Sequence, residues 1–403
     1  MTREHWIRGP IGLGADRRVT MAGCRTVLVV VPHLAAGARL VADVLPLLKN
    51  DPRVQVVFSV SDTGTAWHGT EEFARRQGGL VIPWHQAVEH EFDLVLAAGY
   101  NDLEQVRGKI LLLPHGASSL ASRKFGRHAG PASIPLPGLS REALVRRGRV
   151  LPSTIALTHD DEVAALRDSC PEALDTAVVV GDVCLDRMAA SAHRRVDYRR
   201  ALGVSDDQRL VTISSTWSRD STFGAWFALI GRLLEELPPR RHRVAAILHP
   251  HIWAVHGAWQ VRAWLDDHLA AGLLLIPPDE GWRATAIASD LVLGDHGSTT
   301  QYAAAIGVPV LLAAFPHDNV REGSLADLVA RTSPRLDPAL PLARQLRLAA
   351  RSGVADALTG RPGDAARNLR TAMYRLLDMP EPDAPARTAV LPLPVPVRHE
   401  DAA

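Results

Sequence analysis

The chain is expected to fold as two Rossmann-like α/β domains facing across a cleft, each an open parallel sheet with helices on both faces. Three observations carry that expectation. Short apolar, β-branched runs alternate with amphipathic stretches along most of the sequence, the pattern of parallel strands buried on both faces. The alternation comes in two series of similar length, joined by VVVGDVCLDRMAASAHRR at 178–195, which reads as a strand running into a charged connector. Several of the apolar runs end in Gly, His and hydroxyl residues just before a helix start, where open sheets hold ligands beyond their carboxyl edge.

In the first series, Thr26–Val31 reads as a strand, and Ala35–Lys49 has helical period with Leu40, Val41, Val44, Leu45 and Leu48 on one face. Val54–Val60 is a second strand, Thr70–Gln77 a helix and Gly79–Ile82 a short strand. Asp93–Ala97, Lys109–Leu113, Ser153–Leu157 and Ala177–Val180 follow as strands. In the second series, Arg209–Ser214 is a strand, Phe223–Leu237 a long helix and Arg243–Leu248 a strand. Val255–Leu269 is a helix, Leu273–Leu275 a strand, Trp282–Ala288 a helix and Leu291–Leu293 a strand. Val308–Ala313 follows as a strand, with Ser324–Arg331 helical after it. The expected division is a flexible arm at 1–22, a first domain at 23–190 and a second at 191–363. A C-terminal helix at 364–379 and a Pro-rich, extended or disordered tail at 380–403 complete it.

Composition narrows the function classes. The 403 residues are 47% hydrophobic and 22% charged, enough for two ordinary domains with full cores. A net charge of +1 supplies no field to draw the protein to nucleic acid or an anionic membrane. Cys24, Cys170 and Cys184 are odd in number and show no CxxC spacing, which argues against a disulfide framework or structural zinc and for a reducing cytoplasm. No apolar run approaches the roughly 18 residues of a membrane helix, so no integral membrane segment is expected. The excess of Arg over Lys, with abundant Ala, Leu and Val, suggests a high-GC bacterial genome.

Four strand ends carry the candidate chemistry. LPHGASS places His115 and Gly116 after Lys109–Leu113; an imidazole there can accept an alcohol proton near neutral pH, and the competing reading is a polar loop histidine that caps a helix. SSTWSRDS at 214–221 offers Ser215, Thr216 and Ser218 hydroxyls and the phosphate-matching fork of Arg219, against the plainer reading of a capped helix start. Trp217 there is expected in the core. LHPHIW offers His249 and His251 aimed by Pro250; with His256 nearby it invites a metal, but no carboxylate or Cys cluster supports one, and no cofactor is expected. GDHGSTTQ at 294–301 sets His296, Ser298, Thr299 and Thr300 at a helix start, with Ser298 expected as the N-cap, so that free N–H groups and the positive dipole end would meet a phosphate. Farther on, His317 and Asp318 in FPHDN could reach a ribose or an acceptor. GLGAD at 12–16 precedes the first strand and so fails the dinucleotide fingerprint; no P-loop, GxSxG or HExxH occurs.

The order of these motifs within a two-domain plan resembles the GT-B glycosyltransferase superfamily, and within it the CDP-glycerol glycerophosphotransferase family of teichoic-acid polymerases. His115–Gly116 corresponds to that family's His-Gly motif, and Ser215–Thr216–Trp217, with Arg219 displaced by one, to its Pro-Thr-Trp-Arg segment. His249–Pro250 matches its strand-end histidine, and Asp295, His296, Ser298 and Thr299, with Gly297 inserted, its Asp-Tyr-Ser-Ser. The His249–Pro250 and Ser298–Thr299 pairs also look like those of bacterial polysialyltransferases and capsule transferases, and VVVGDVCLDRM is similar to the connector of UDP-N-acetylglucosamine 2-epimerases. The resemblance implies a metal-independent transferase that moves a glycosyl or glycerophosphoryl-type group from a CDP- or UDP-linked donor to an alcohol, with no nucleic acid partner. His115 would be the base; His249, Ser298, Thr299 and Thr300 would hold the donor phosphates, assisted by Thr216 and Arg219. Two alternatives stand beside it: a UDP-sugar 2-epimerase, for which Asp182 and Asp295 are the carboxylates at hand, and a catalytically inert GT-B binding protein.

Overall fold

The computed structural model describes residues 6–12, 14–61, 67–120 and 138–398. Lys124, the basic residue that follows the His115 motif, lies outside them. The chain forms two compact units.

The first unit holds the described residues up to Ser119, with Gly138–Val183 and Gly360–Ala389. Its strands are β1 (Arg25–Val30), β2 (Val54–Ser59), β3 (Leu80–Val81), β4 (Glu91–Ala97), β5 (Arg107–Leu112), β8 (Thr154–Leu157) and β9 (Ala177–Val179). They pair in the order β3-β2-β1-β4-β5-β8-β9, all parallel. The two-residue strands β6 (Val145–Arg146) and β7 (Arg149–Val150) form a separate antiparallel hairpin. Val27, Val29, Leu94, Leu96 and Leu111 make the core with Leu369, Met373, Tyr374 and Leu377 of the helix Ala365–Leu377. That late amphipathic helix is therefore part of the first sheet's cover. It is pinned where the Tyr374 hydroxyl donates to Asp51 at 2.7 Å and Lys109 Nζ donates to the Leu376 carbonyl at 2.7 Å. The N-terminal arm is not loose throughout: Ile11 is buried, and the Gln86 amide bonds both the N–H and the carbonyl of Ile7 at 2.9 Å.

The second unit holds Cys184–Thr359 and the described residues from Val390 onward. Its strands are β10 (Arg209–Ser215), β11 (His242–Leu248), β12 (Leu274–Ile276), β13 (Leu291–Gly294) and β14 (Val310–Leu312), in the order β12-β11-β10-β13-β14, again all parallel. Val211, Ile213, Val244, Ala246, Leu291 and Leu293 pack against Leu229, Leu233, Val261 and Leu265 of the covering helices. The tail is extended and, on this unit, docked. Leu391 is fully buried, Tyr198 Oη donates to its carbonyl at 3.0 Å, and Val397 N–H donates to Leu275 at 2.8 Å.

Several helices differ from the sequence expectation for local reasons. The segment expected as a helix over Ala35–Lys49 is α-helical only over Leu34–Arg39, then turns through a π segment at Leu40–Val44 and a 3-10 turn at Leu45–Leu47. Pro46 lacks an N–H and cannot continue the ladder. Phe223–Leu237 is two helices, Thr222–Ala225 and Leu229–Glu236, interrupted at Trp226. Val255–Leu269 is also two, Pro250–His256 and Ala258–Ala270, broken by Gly257 at φ 81°. The connector at 178–195 contains the helix Val183–Ser191.

Candidate functional site

Each sheet reverses its winding once, between β1 and β4 in the first unit and between β10 and β13 in the second. Loops diverge at such a point, and the crevice outside the carboxyl ends is where open sheets take ligands.

In the second unit that crevice is built on Asp295, which is 1% exposed. Its Oδ2 accepts the N–H groups of Thr216 and Thr222, and its Oδ1 the N–H of Gly297, each at 2.9 Å. One carboxylate thus ties the loop after β10 to the loop after β13. Two glycines make the closeness possible. A Cβ on Gly294 would lie 2.2 Å from Thr300 Oγ1, and one on Gly297 would lie 3.0 Å from Asp295 Oδ1 and 3.1 Å from Thr216 Cβ. Thr300 is fully buried; its hydroxyl donates to Ser214 Oγ at 3.1 Å and accepts the Asp295 N–H at 3.3 Å. It therefore anchors the helix Ser298–Ala305 to the sheet and is closed to a ligand. Gly297, not Ser298, is the N-cap; no side chain caps this helix, and Ser298 is its first helical residue. Its opening N–H groups have no carbonyl within the helix, and its positive end lies at the carboxyl edge of the sheet. Ser298 and Thr299 are half-buried there, and His296 is buried, its carbonyl accepting Gln301 Nε2 at 2.8 Å.

His249 follows β11, the neighbour of β10. The backbone N–H of His251 donates to its Nδ1 at 3.1 Å, so the neutral ring carries its hydrogen on Nε2 and is a donor on that side, the polarity an anion needs. Pro250 opens the following helix and fixes the turn. In the loop after β10, Ser215 accepts the Phe223 N–H at 2.8 Å and Ser221 the Gly224 N–H at 3.1 Å, while Ser218 donates to Asp220. These hydroxyls build the loop. Thr216 is half-buried, and Arg219 is exposed, with no hydrogen bond or ion pair among the described residues. Trp217 is not in the core: it is 45% exposed and stands edge-on to His251 at 4.5 Å. Burial, and secondarily His256, hold the His251 pKa below its ordinary value. The ends of β10, β11 and β13, adjacent in the sheet, so bring Thr216, Arg219, His249, Pro250, His296, Ser298 and Thr299 to one edge. His317 and Asp318 lie one strand farther out, exposed in a 3-10 turn after β14, where Arg335 Nη2 donates to His317 Nδ1 at 3.1 Å.

In the first unit His115 follows β5. Its Nδ1 lies 3.1 Å from the Ala98 carbonyl oxygen, which can only accept, so Nδ1 carries the hydrogen and Nε2 keeps its lone pair. The ring is open to solvent yet densely surrounded, and that crowding, with the Arg39 guanidinium, holds its pKa below the ordinary value against the Ala98 bond. Glu162, 2% exposed, secures the loop: it accepts Ser118 Oγ at 2.6 Å and the N–H groups of Ser119 and Thr158 at 2.7 and 2.8 Å. Asp182 is fully buried and bonded to Arg39 at 2.8 Å, with Asp43 on the same guanidinium at 3.0 Å. Both carboxylates considered for acid–base work, Asp182 and Asp295, are thus committed to holding the protein together.

Glu162 and, more consequentially, His33 stand outside the four strand-end motifs. His33 caps the helix after β1 and meets the His115 ring at 4.8 Å; Trp67 stacks on it at 4.5 Å. A signal was present: VVVPH at 29–33 repeats LLLPH at 111–115. Among the described residues, no group of three or more His, Cys, Asp or Glu side chains could hold a metal ion, and no helix is long and apolar enough to cross a membrane.

No family model matches the chain, and no curated protein matches it in sequence. In structure it is similar to the wall teichoic acid polymerase TagF at 14% identity, covering 88% of this chain and 89% of that one with a TM-score of 0.58. A TagF variant soaked with CDPG aligns at 12% identity, covering 88% of each chain, with a TM-score of 0.58. MnaA of S. aureus, solved with UDP, aligns at 13% identity over 90% of this chain and 100% of that one, with a TM-score of 0.55. The chain has the GT-B fold, two Rossmann-like units.

Proposed function

We propose that the chain is a metal-independent transferase that moves a glycosyl or glycerophosphoryl-type group from a CDP- or UDP-linked donor to an alcohol. The observation that carries this reading is the Asp295 clamp, which holds the start of the helix Ser298–Ala305 at the same sheet edge as a histidine held as an Nε2–H donor. The N–H groups of Ser298 and Thr299, their hydroxyls, His249 Nε2–H and the Arg219 fork then neutralise the diphosphate. Pro250 and His296 shape this pocket, Thr216 lines it, and His317 and Asp318 reach a ribose or the acceptor. His115 Nε2 takes the hydroxyl proton as the acceptor oxygen bonds to the transferred group. Glycosyl transfer breaks the bond from sugar carbon to phosphate oxygen and releases a nucleoside diphosphate. Glycerophosphoryl transfer breaks the pyrophosphate and releases a nucleoside monophosphate. In either case donors fixed in place stabilise the charge that grows on the leaving phosphate.

Calorimetry with CDP, UDP, GDP and CMP, followed by donor turnover in EDTA, tests the reading. The wild type is expected to bind at least one nucleoside diphosphate and to turn over without a divalent cation. His249→Ala with Ser298→Ala should slow turnover by a hundredfold or more, since one anion-hole donor is worth about 3 kcal/mol. Turnover at the wild-type rate in that double variant removes the donor-site assignment. Absence of binding by all four nucleotides leaves an inert shell.

A further inference from the structure

The crevice of the first unit holds two histidines whose hydrogen positions are fixed in opposite senses. The N–H of Ala36 donates to His33 Nδ1 at 3.1 Å, so the neutral ring carries its hydrogen on Nε2. His115 is the reverse, hydrogen on Nδ1 toward Ala98 and lone pair on Nε2. The two rings meet edge to face at 4.8 Å and 80°, and Trp67, stacked on His33 at 22° to its plane, fixes that ring's orientation. Gly99 follows β4 beside them; a Cβ there would stand 4.0 Å from His33 Nε2 and 3.9 Å from Asn101 Oδ1, at ordinary contact distance.

The geometry points to His33 as a second ligand-contacting residue: its Nε2–H donates to the oxygen of a hydroxyl whose own proton goes to His115 Nε2. A hydroxyl both donates and accepts, and so matches the pair; a carboxylate or phosphate matches only the donor ring. The inference rests on His115 as acceptor base. During transfer the O–H bond breaks toward His115, an oxygen lone pair forms the bond to the transferred group, and the electron pair of the severed bond leaves on the donor phosphate. His33 keeps its hydrogen throughout and orients the attacking oxygen.

Two substitutions separate this role from helix capping. His33→Asn keeps an oxygen for the Ala36 N–H but has nothing at the Nε2 position. His33→Gln can place an amide N–H near Nε2 and gives up the cap. Glycerol serves as the probe hydroxyl compound, followed through the ring nitrogen resonances of 15N-histidine protein, with Tm measured alongside. Glycerol is expected to shift both rings. Its affinity should fall about tenfold in the Asn variant, the equivalent of one hydrogen bond, and less in the Gln variant even though that protein melts lower. The opposite order, Gln impaired and Asn intact, overturns the inference, as do equal affinities in all three proteins. A His115 shift that does not depend on residue 33 defeats His33 alone; no shift at His115 defeats the acceptor base as well. No nucleotide is present, so the donor site is judged separately.

Discussion

Asp295 holds two loops through three backbone N–H groups, and its charge is what makes those bonds strong. Asp295→Asn leaves one acceptor oxygen and turns an amide N–H toward groups that are themselves donors. We expect a loss of about 1.5–3 kcal/mol in urea unfolding, the range for a hydrogen bond to a charged group, together with loss of nucleoside diphosphate binding. Unchanged nucleotide affinity would show that the clamp does not shape the site. His115 carries a prediction of a different kind. Crowding holds its pKa below 6.5, so the ring is neutral at pH 7 and protonates only at lower pH. The acid limb of kcat/KM is therefore expected below pH 6.5. An acid limb above pH 6.5 would exclude His115 as the base.

At the level of elements, the close seat of the helix Ser298–Ala305 depends on Gly294. Gly294→Ala would drive a methyl into Thr300 Oγ1, which is held by Ser214, so the helix must lift off β13. Overpacking of this kind costs about 1–3 kcal/mol. Amide exchange across 298–305 should quicken and nucleotide affinity should drop; exchange at the wild-type rate would mean that the helix tolerates the methyl. Elements were legible where period and punctuation agreed. Trp282–Ala288 occupies the residues its pattern indicated, and the strand ends at Leu248 and Gly294 sit where histidine and glycine motifs begin. Legibility failed where a break was tertiary. The apolar run through Trp226 looks continuous, yet the chain turns there, and Trp217 reads as core although it stands 45% exposed on the loop after β10. Thr300 shows the same limit, since a helix-start hydroxyl looks the same in sequence whether it faces a ligand or a strand. Nor does a local pattern indicate that Gly360–Ala389 returns to the first unit, because contacts between distant segments leave no periodic mark.

For the whole molecule, charge and burial set a definite pH response. Burial is the leading cause that holds the pKa values of His90, His242 and His251 below 6.5 in the folded chain. Unfolded, these rings take up protons near 6.5; folded, they resist until the pH is lower. The unfolded chain therefore binds more protons in that window, and stability must rise with pH across it. Their contribution is complete above pH 6.5 and is lost as the pH falls through the depressed values. Asp51 adds a second fall at lower pH. Arg53 holds its carboxyl well below 3.8 against the opposing effect of burial, so this contribution persists at pH 5 and disappears only as the pH drops below 3.8 toward the folded value. Urea midpoints are thus expected to be level above pH 7, to decline between pH 6.5 and 5, and to fall again below pH 4. Replacing His242, which lies away from the strand-end motifs at the start of β11, with Gln should flatten the first decline while leaving nucleotide binding intact. A midpoint that stays level from pH 7 to 5 would show that these rings charge as freely in the folded chain as in the unfolded one.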